Sequence, residues 1–375
     1  MKLSKDKKRA MIDPRRNELT LRRLNTVAGP IVFYTGHLNI GGAEIVLLNL
    51  ANALSQYGER VVIVLDRVEG SLLLDRLSAS VEVIELDVPR LRFAFRPLFR
   101  VLNRIHPALV MTVLPPHGIM AAMVIRLVRR PIKHVVAEHT FPTQLRGRLL
   151  RAMLGLAYRY ADSVVVPSAA VAADVALLAA MDQGDITILD NPLIDPQDLE
   201  NAQRHAPHPW LAPDGPQTVV AAGRLVPLKG YLCLIKAVAL MPPPTRLLIV
   251  GEGPCRDELA ALIADLQLQD RVTLAGAVPS ALPFIAHASA VVISSHYEGF
   301  GNTIIEAMAC GVPVVSTECS AAPRLLLDYG RRGRLVPVDD PVAMAKALTQ
   351  TLSNPHPGKE NTAVAAPFGV EQAAK

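Results

Sequence analysis

The chain is short of cysteine. Its four, Cys233, Cys255, Cys310 and Cys319, are scattered and form no C-x-x-C pair. That excludes a disulfide framework and the common zinc patterns, and it points to a reducing, cytosolic setting. Aromatic residues are scarce too, at 4%, and they are not interleaved with basic ones. Single-strand binding depends on such interleaving, so no nucleic-acid partner is expected. No apolar run reaches the ~18 residues that span a bilayer. The opening stretch MKLSKDKKRAMIDPRRNELTLRRLNT is basic but has no apolar h-region, so it does not read as a secretory signal. Residues 1–27 are expected to be a flexible basic extension.

What is present reads as globular. Half the residues are hydrophobic and 19% are charged, which is outside the disordered range. A length of 375 residues exceeds one ordinary core, so two domains are the default. A net charge of +5 suits an anionic partner such as a nucleotide or lipid headgroups.

Short apolar, β-branched runs alternate with helical stretches. GPIVFYTG precedes GGAEIVLLNLANALSQYG, and RVVIVLDR, VEVIELDV, ALVMTVL, KHVVAEH and SVVVPS follow in turn. Runs that are apolar throughout mark strands buried on both faces. Strand then helix, repeated, means a parallel sheet with right-handed crossovers. The stretch DNPLIDPQDLENAQRHAPHPWLAPDGPQ interrupts this rhythm and, being rich in Pro, Asn and Asp, reads as a linker. Alternation restarts at TVVAAGRL. The expected class is α/β, with two Rossmann-like doubly wound domains facing a central cleft. The expected segments are 28–195, a linker 196–215, 216–352 and a tail 353–375. Ligands of such sheets bind at the carboxyl ends of the strands, and a cleft between two of them favours a small molecule.

Four motifs fall at strand ends. In GHLNIGGAEIV, Gly41 and Gly42 open a helix, where backbone can approach an anion. A loop that needs positive φ explains them equally well. In AAGRLVPLKG, Arg224 and Lys229 put a planar fork and a point charge on one loop, which suits a diphosphate. Taken alone, such a pair is also an ordinary surface feature. LLIVGEGPCRDEL lacks the third glycine of a dinucleotide loop, and Pro254 is expected in the first turn of the next helix. NAD is therefore disfavoured, and a tight strand-to-helix turn is the simpler reading.

The fourth is SSHYEGFGNTIIEAMACGVPVVST, from Ser294 to Thr317. A strand ends at Ser295, HYEGFG is a loop, Asn302 or Thr303 caps a helix, and Gly311 with Pro313 ends it. Glu298 then sits in the loop and Glu306 about one turn into the helix. A carboxylate accepts two hydrogen bonds side by side, which matches a vicinal diol. Two of them fit a sugar nucleotide, one at the ribose and one at the hexose. The structural reading makes Glu306 a dipole partner and Glu298 a solvated charge. A carboxylate-pair hydrolase fits poorly, because one loop-helix unit does not flank a scissile bond.

EGFGNTIIEAMACGVPVV, with GRLVPLKG, GEGP and GGAE upstream in order, resembles the retaining glycosyltransferases of family four, which have the GT-B fold and an E-x7-E element. The resemblance runs from about Ile31 to about Leu352. It implies that Glu306 bonds the donor ribose and that Glu298 holds hydroxyls of the transferred sugar. Arg224 and Lys229 would neutralise the leaving diphosphate, and Gly41 and Gly42 would approach it from the first domain. Phe300, Gly301, Asn302 and Thr303 would line the same turn. In VVAEHTFP, His139 stands where the family often has a histidine near the reacting sugar; without the family it reads as a strand-end histidine with one structural bond. No cofactor and no metal are implied, and no D-x-D ligand motif is present. Two departures are the basic N-terminal extension and a tail, PFGVEQAAK, that leaves room for only a short crossing helix.

The first domain is expected to hold the acceptor, a glycan or lipid-linked molecule. PRLRFAFRPLFRVLNRIHP and LRGRLLRAMLGLAYRY are basic and amphipathic, which suits contact with anionic lipid at the inner face of the cell membrane. An ordinary helix with a solvated face is the simpler alternative. Two other functions share the fold: a nucleotide-sugar epimerase, which lacks the E-x7-E loop, and a non-catalytic sugar-nucleotide-binding subunit.

Overall fold

The computed structural model describes residues 29–39, 41–355 and 358–374. The expected basic extension, residues 1–27, lies outside them. The first sheet comprises β1 (Ile31–Thr35), β2 (Val61–Leu65), β3 (Glu82–Glu85), β4 (Leu109–Thr112), β5 (Lys133–Ala137), β6 (Ser163–Val166) and β7 (Ile186–Ile188). Its helices are α1 (Gly42–Gln56), α2 (Phe95–Ile105), α3 (Pro115–Ile125), α4 (Arg148–Tyr160) and α5 (Ala169–Ala179). After α6 (Pro196–Ala202) the second sheet follows, with β8 (Thr218–Ala222), β9 (Arg246–Val250), β10 (Val272–Gly276), β11 (Ala290–Ile293), β12 (Val314–Thr317) and β13 (Arg334–Val336). Its helices are α7 (Tyr231–Leu240), α8 (Arg256–Asp265), α9 (Leu282–Ala286), α10 (Asn302–Ala309), α11 (Ala321–Leu326) and α12 (Pro341–Ser353), and the chain returns through α13 (Gly358–Ala365) and α14 (Val370–Ala374).

Both sheets are parallel. Their orders are β3-β2-β1-β4-β5-β6-β7 and β10-β9-β8-β11-β12-β13. Each reverses direction beside its first strand, at β1/β4 and at β8/β11, and that is where a crevice opens in doubly wound sheets. The uniformly apolar strands explain why helices cover both faces. Phe33 and Ile63 enter one cluster with α1, while Val32, Tyr34, Val62 and Val64 enter the opposite one with α2 and α3. The second sheet divides the same way, with Val219, Leu247 and Val292 on one side and Val220, Leu248 and Val291 on the other. A period of two with both phases apolar leaves the central strands no face for water, while the edge strand β3, EVIE, is mostly exposed.

The segment 196–215, expected as a linker, is folded. Asp195 accepts the Gln197 N–H at 2.8 Å and Pro196 holds the first position, so α6 starts with a side-chain cap. A 3-10 turn, Pro209–Leu211, follows, and Leu211 is buried in the second-domain core. The start of α8 also differs from expectation. Pro254 lies in a turn and the helix begins at Arg256, because the Cys255 N–H is taken by the Leu225 carbonyl at 3.0 Å. The tail does reach the first domain. The Leu193 and Ile194 N–H groups donate to Phe368 O at 2.9 and 3.1 Å, Val370 N–H donates to Ile194 O at 3.0 Å, and α14 packs on α1.

Candidate functional site

The E-x7-E unit sits at the carboxyl end of β11. Gly301 holds the chain at φ 90° and ψ 42°, a left-handed turn that glycine adopts freely, and α10 begins at Asn302. The expected side-chain cap from Asn302 or Thr303 is absent: Gly301 occupies that position. The Asn302 side chain is engaged elsewhere, its Oδ1 accepting from Asn191 Nδ2 of the first domain at 3.1 Å. The first turn of α10, including Thr303, therefore starts without a side-chain cap, which leaves the positive end of its dipole to an anion. Phe300 turns its ring away, packing edge-to-face on Phe368 at 5.7 Å.

Glu298 and Lys229 are brought together. Lys229 Nζ donates to Glu298 Oε1 at 2.7 Å, and Ser295 Oγ donates to the same oxygen at 2.5 Å. Both loops are pinned: Ser294 Oγ bonds the Lys229 carbonyl and Ser320 Oγ bonds the Glu298 carbonyl, each at 2.7 Å. Glu306 is set apart on α10. Burial pushes its carboxyl up to about 7, and the charge of Arg76 works against that rise.

From the first domain, Gly42 meets this unit, with Gly41 beside it. Gly41 has extended backbone at φ −150°, so positive φ is not the reason for glycine here. Space is: a Cβ on Gly42 would stand 3.1 Å from Asn302 Nδ2, and one on Gly41 would clash with the Glu44 carboxylate. Arg224, exposed on the loop after β8, faces Glu44 across the cleft. Burial raises the Glu44 carboxyl, and the charges of Arg224 and His117 oppose it.

His139 follows β5. Both its ring nitrogens are buried without a hydrogen-bond partner, and desolvation lowers its pKa to about 4. It is thus a neutral ring with an unused donor and an unused acceptor. It lines a small cavity with Phe33, Val46, Val113, Asp190 and Asn191. Its carbonyl abuts the glutamate loop, 3.4 Å from where a Cβ on Gly299 would stand, and Phe141 meets Tyr297 edge-to-face at 4.8 Å. The glycines of GEGP have a packing role. A Cβ on Gly251 or Gly253 would strike the backbone of Gly223 or Leu225, so the two strand-end loops touch.

Sequence reasoning missed four residues here: Glu44, Arg76, Glu138 and Asn191. Glu138 is buried and fully engaged, accepting from Thr140 N–H at 2.8 Å, from Thr140 Oγ1 at 2.5 Å and from Tyr158 OH at 2.5 Å. That fixes the turn carrying His139. A signal existed, since Glu138 is the single acid between residues 88 and 161. Among the described residues no group of three or more His, Cys, Asp or Glu is placed to hold a metal ion.

Known proteins resemble the chain at several levels. Residues 40–195 match the family Glycosyltransferase Family 4, and residues 216–354 match Glycosyl transferases group 1. The lipopolysaccharide core biosynthesis glycosyltransferase LpsE of Rhizobium meliloti is 38% identical over 136 residues, 36% of this chain and 39% of that protein. The Campylobacter jejuni N-acetylgalactosamine-N,N'-diacetylbacillosaminyl-diphospho-undecaprenol 4-alpha-N-acetylgalactosaminyltransferase is 28% identical over 239 residues, 62% of this chain and 64% of that protein. The matched segments thus span 39% and 64% of these two relatives. Among solved structures, Anabaena HepE in complex with UDP and glucose superposes with a TM-score of 0.77 at 22% identity, covering 92% of this chain and 97% of that one. Residues 40–195 thus form a Glycosyltransferase Family 4 domain and residues 216–354 a group 1 domain, and the chain has the architecture of a GT-B glycosyltransferase.

Proposed function

We propose that this chain is a retaining glycosyltransferase that moves a sugar from a nucleoside diphosphate sugar to an acceptor hydroxyl. The observation that carries this reading is the apposition of His139, from the first domain, against the Glu298–Gly299 loop of the second. The backbone of the His139 turn thus abuts the loop that carries Glu298, which brings the two strand ends together at one cleft. Glu306 grips the ribose and Glu298 the transferred sugar. Lys229 and Arg224, with the uncapped start of α10, stabilise the diphosphate as charge builds on it. In the reaction the bond from the anomeric carbon to the phosphate oxygen breaks, and a bond to the acceptor oxygen forms on the same face. The acceptor's proton passes to the departing phosphate. Lys229 is released from Glu298 to the diphosphate when the sugar takes over the carboxylate's hydrogen bonds.

A uracil base is the first choice, supported by the UDP complexes of HepE. The names of the relatives favour a lipid-linked or surface-glycan acceptor. Calorimetry with UDP, GDP and ADP on the wild type and on Glu306→Ala tests the donor half. Binding of one nucleotide, lost in the variant, is expected. No binding to well-folded protein would sink the reading, and binding without donor turnover would leave a non-catalytic sugar-nucleotide-binding subunit. Retention is checked by the anomeric proton coupling of the product; an inverted product rejects it.

The first domain also has a surface suited to anionic lipid. Residues 88–161 hold thirteen Lys and Arg and one acid, the buried Glu138. Helices α2, α3, α4 and α5 pack in sequence along one flank. Leu149, Leu156 and Tyr160 of α4 and Leu177 of α5 are at least half exposed there, and Arg126 stacks on Tyr160 at 3.4 Å. Apolar side chains among arginines match an interface rather than bulk water. No helix among the described residues is long and apolar enough to cross a membrane.

A further inference from the structure

Both ends of the Arg76 guanidinium bond to the other half of the molecule. Arg76 closes a 3-10 turn, Leu74–Arg76, after β2 of the first domain. Its Nη2 donates to Asp198 Oδ2 at 2.7 Å, and its Nη1 donates to the Pro279 carbonyl at 3.1 Å. Asp198 belongs to α6, which packs on α9, and Pro279 follows β10, so both partners ride with the second domain. The turn behind Arg76 is braced on its own side. Asn52 of α1 donates to the Arg76 carbonyl and accepts from Ser78 N–H, each at 2.9 Å. The side chain is only 22% exposed. It lies close enough to Glu306 for its charge to act on that carboxyl.

We propose that Arg76 is a positioning residue that closes the first domain over the nucleotide end of the cleft. This rests on the reading of Glu306 as the ribose partner. The geometry supports a clasp more than a stabilising ion pair. Two separate segments are held by one rigid fork, which an ammonium group cannot do from the same place. The Asp198 end of the pair is 47% exposed, so the pair adds little to folding stability. A contact between two bodies instead sets the fraction of molecules that are closed, and apparent affinity scales with that fraction. Arg76 therefore acts on donor binding from the wall opposite Glu306.

The test uses the full chain with Arg76→Ala, Arg76→Lys and Asp198→Asn. UDP is titrated by calorimetry, and the unliganded proteins are compared by small-angle X-ray scattering and thermal melting. Arg76→Ala is expected to weaken UDP binding roughly tenfold, to enlarge the radius of gyration and to leave Tm nearly unchanged. Arg76→Lys recovers part of the affinity. Asp198→Asn, which leaves Arg76 itself in place, moves affinity and dimensions the same way. Unchanged UDP affinity in Arg76→Ala overturns the proposal. If Arg76→Ala also loses Tm, Asp198→Asn decides, and its wild-type affinity overturns the proposal instead. If the wild type binds no UDP, the donor reading fails separately; equal radii of gyration in wild type and Arg76→Ala then overturn the clasp.

Discussion

Glu306, the proposed ribose partner, carries a stability cost. Its carboxyl is raised by burial from 4.5 to about 7, so the native chain holds that proton more tightly than the unfolded chain does. Stability from this group is therefore greatest at low pH and falls as pH rises from about 4.5 towards 7. The groups facing it are Arg76 from the first domain, which opposes the rise, and Cys310 just past the end of its helix, which burial and then Glu306 push up to about 12. Glu306→Gln is expected to raise Tm at pH 8 and hardly alter it at pH 5, a gain growing by up to about 1.4 kcal/mol per pH unit between these limits. Under the proposed function the same change is expected to weaken nucleotide binding. Scanning calorimetry at the two pH values checks this; an equal Tm change at both would mean the carboxylate is already well solvated. Lys229 has the opposite character. Lys229→Ala breaks a half-buried pair and is expected to cost about 1–2 kcal/mol, between the exposed and buried cases. Its larger effect falls on turnover, a loss of about 10² or more, as for removal of one donor to a developing charge. Melting and donor-turnover assays on one preparation separate the two effects.

At the scale of the loop and the helix, two glycines make contrasting predictions. Gly251 stands at φ 145° with the Gly223 carbonyl where a Cβ would go. Gly251→Ala must distort backbone and is expected to destabilise by about 2 kcal/mol or more. Gly42 has an ordinary backbone and meets only the end of Asn302 from the other domain. Gly42→Ala is expected to keep Tm and lose roughly tenfold in nucleotide affinity, since it wedges the cleft rather than a core. Denaturant melts with UDP titrations distinguish these outcomes, and a Tm loss in Gly42→Ala would contradict the second. These elements also show what was legible beforehand. The strands declare themselves as apolar runs because both faces are covered, and the strand-end motifs follow from that. The start of α6 was missed, although Asp195-Pro196 is a helix-start pair within a stretch that composition marks as loop. The purpose of Gly41 was not legible: its φ and the Glu44 carboxylate beside it exist only once the loop is folded. Arg76 and Asn191 had no local signal at all. Their partners lie 122 and 111 positions away, and nothing within a window of one element encodes such a pairing.

Across the whole molecule, the flank proposed to face lipid predicts behaviour that no single side chain shows. The protein is expected to co-sediment with vesicles rich in anionic lipid at low salt and to be released as ionic strength rises. Leu149→Glu with Leu156→Glu should abolish that while sparing nucleotide binding in solution, because both side chains point away from the core. Vesicle binding unaffected by the double substitution would place the contact elsewhere. The tail makes a second prediction. Deleting residues 366–375 removes the Phe368 carbonyl that accepts from Leu193 and Ile194, and the ring that meets Phe300. Reduced nucleotide affinity and a broader melting transition are expected.

The same tail has a consequence for how the protein is made. Val370 is buried and its helix lies on α1, so a piece of the first domain's surface is contributed by residues near position 370. Roughly 180 residues separate that piece from β7, and at translation rates of ~5–20 residues per second it emerges about 10–40 s after the sheet it covers. For that interval the nascent first domain leaves the α14-facing patch of α1 open on the ribosome. Protection of α1 against pulsed labelling of stalled chains should therefore appear only once α14 has emerged.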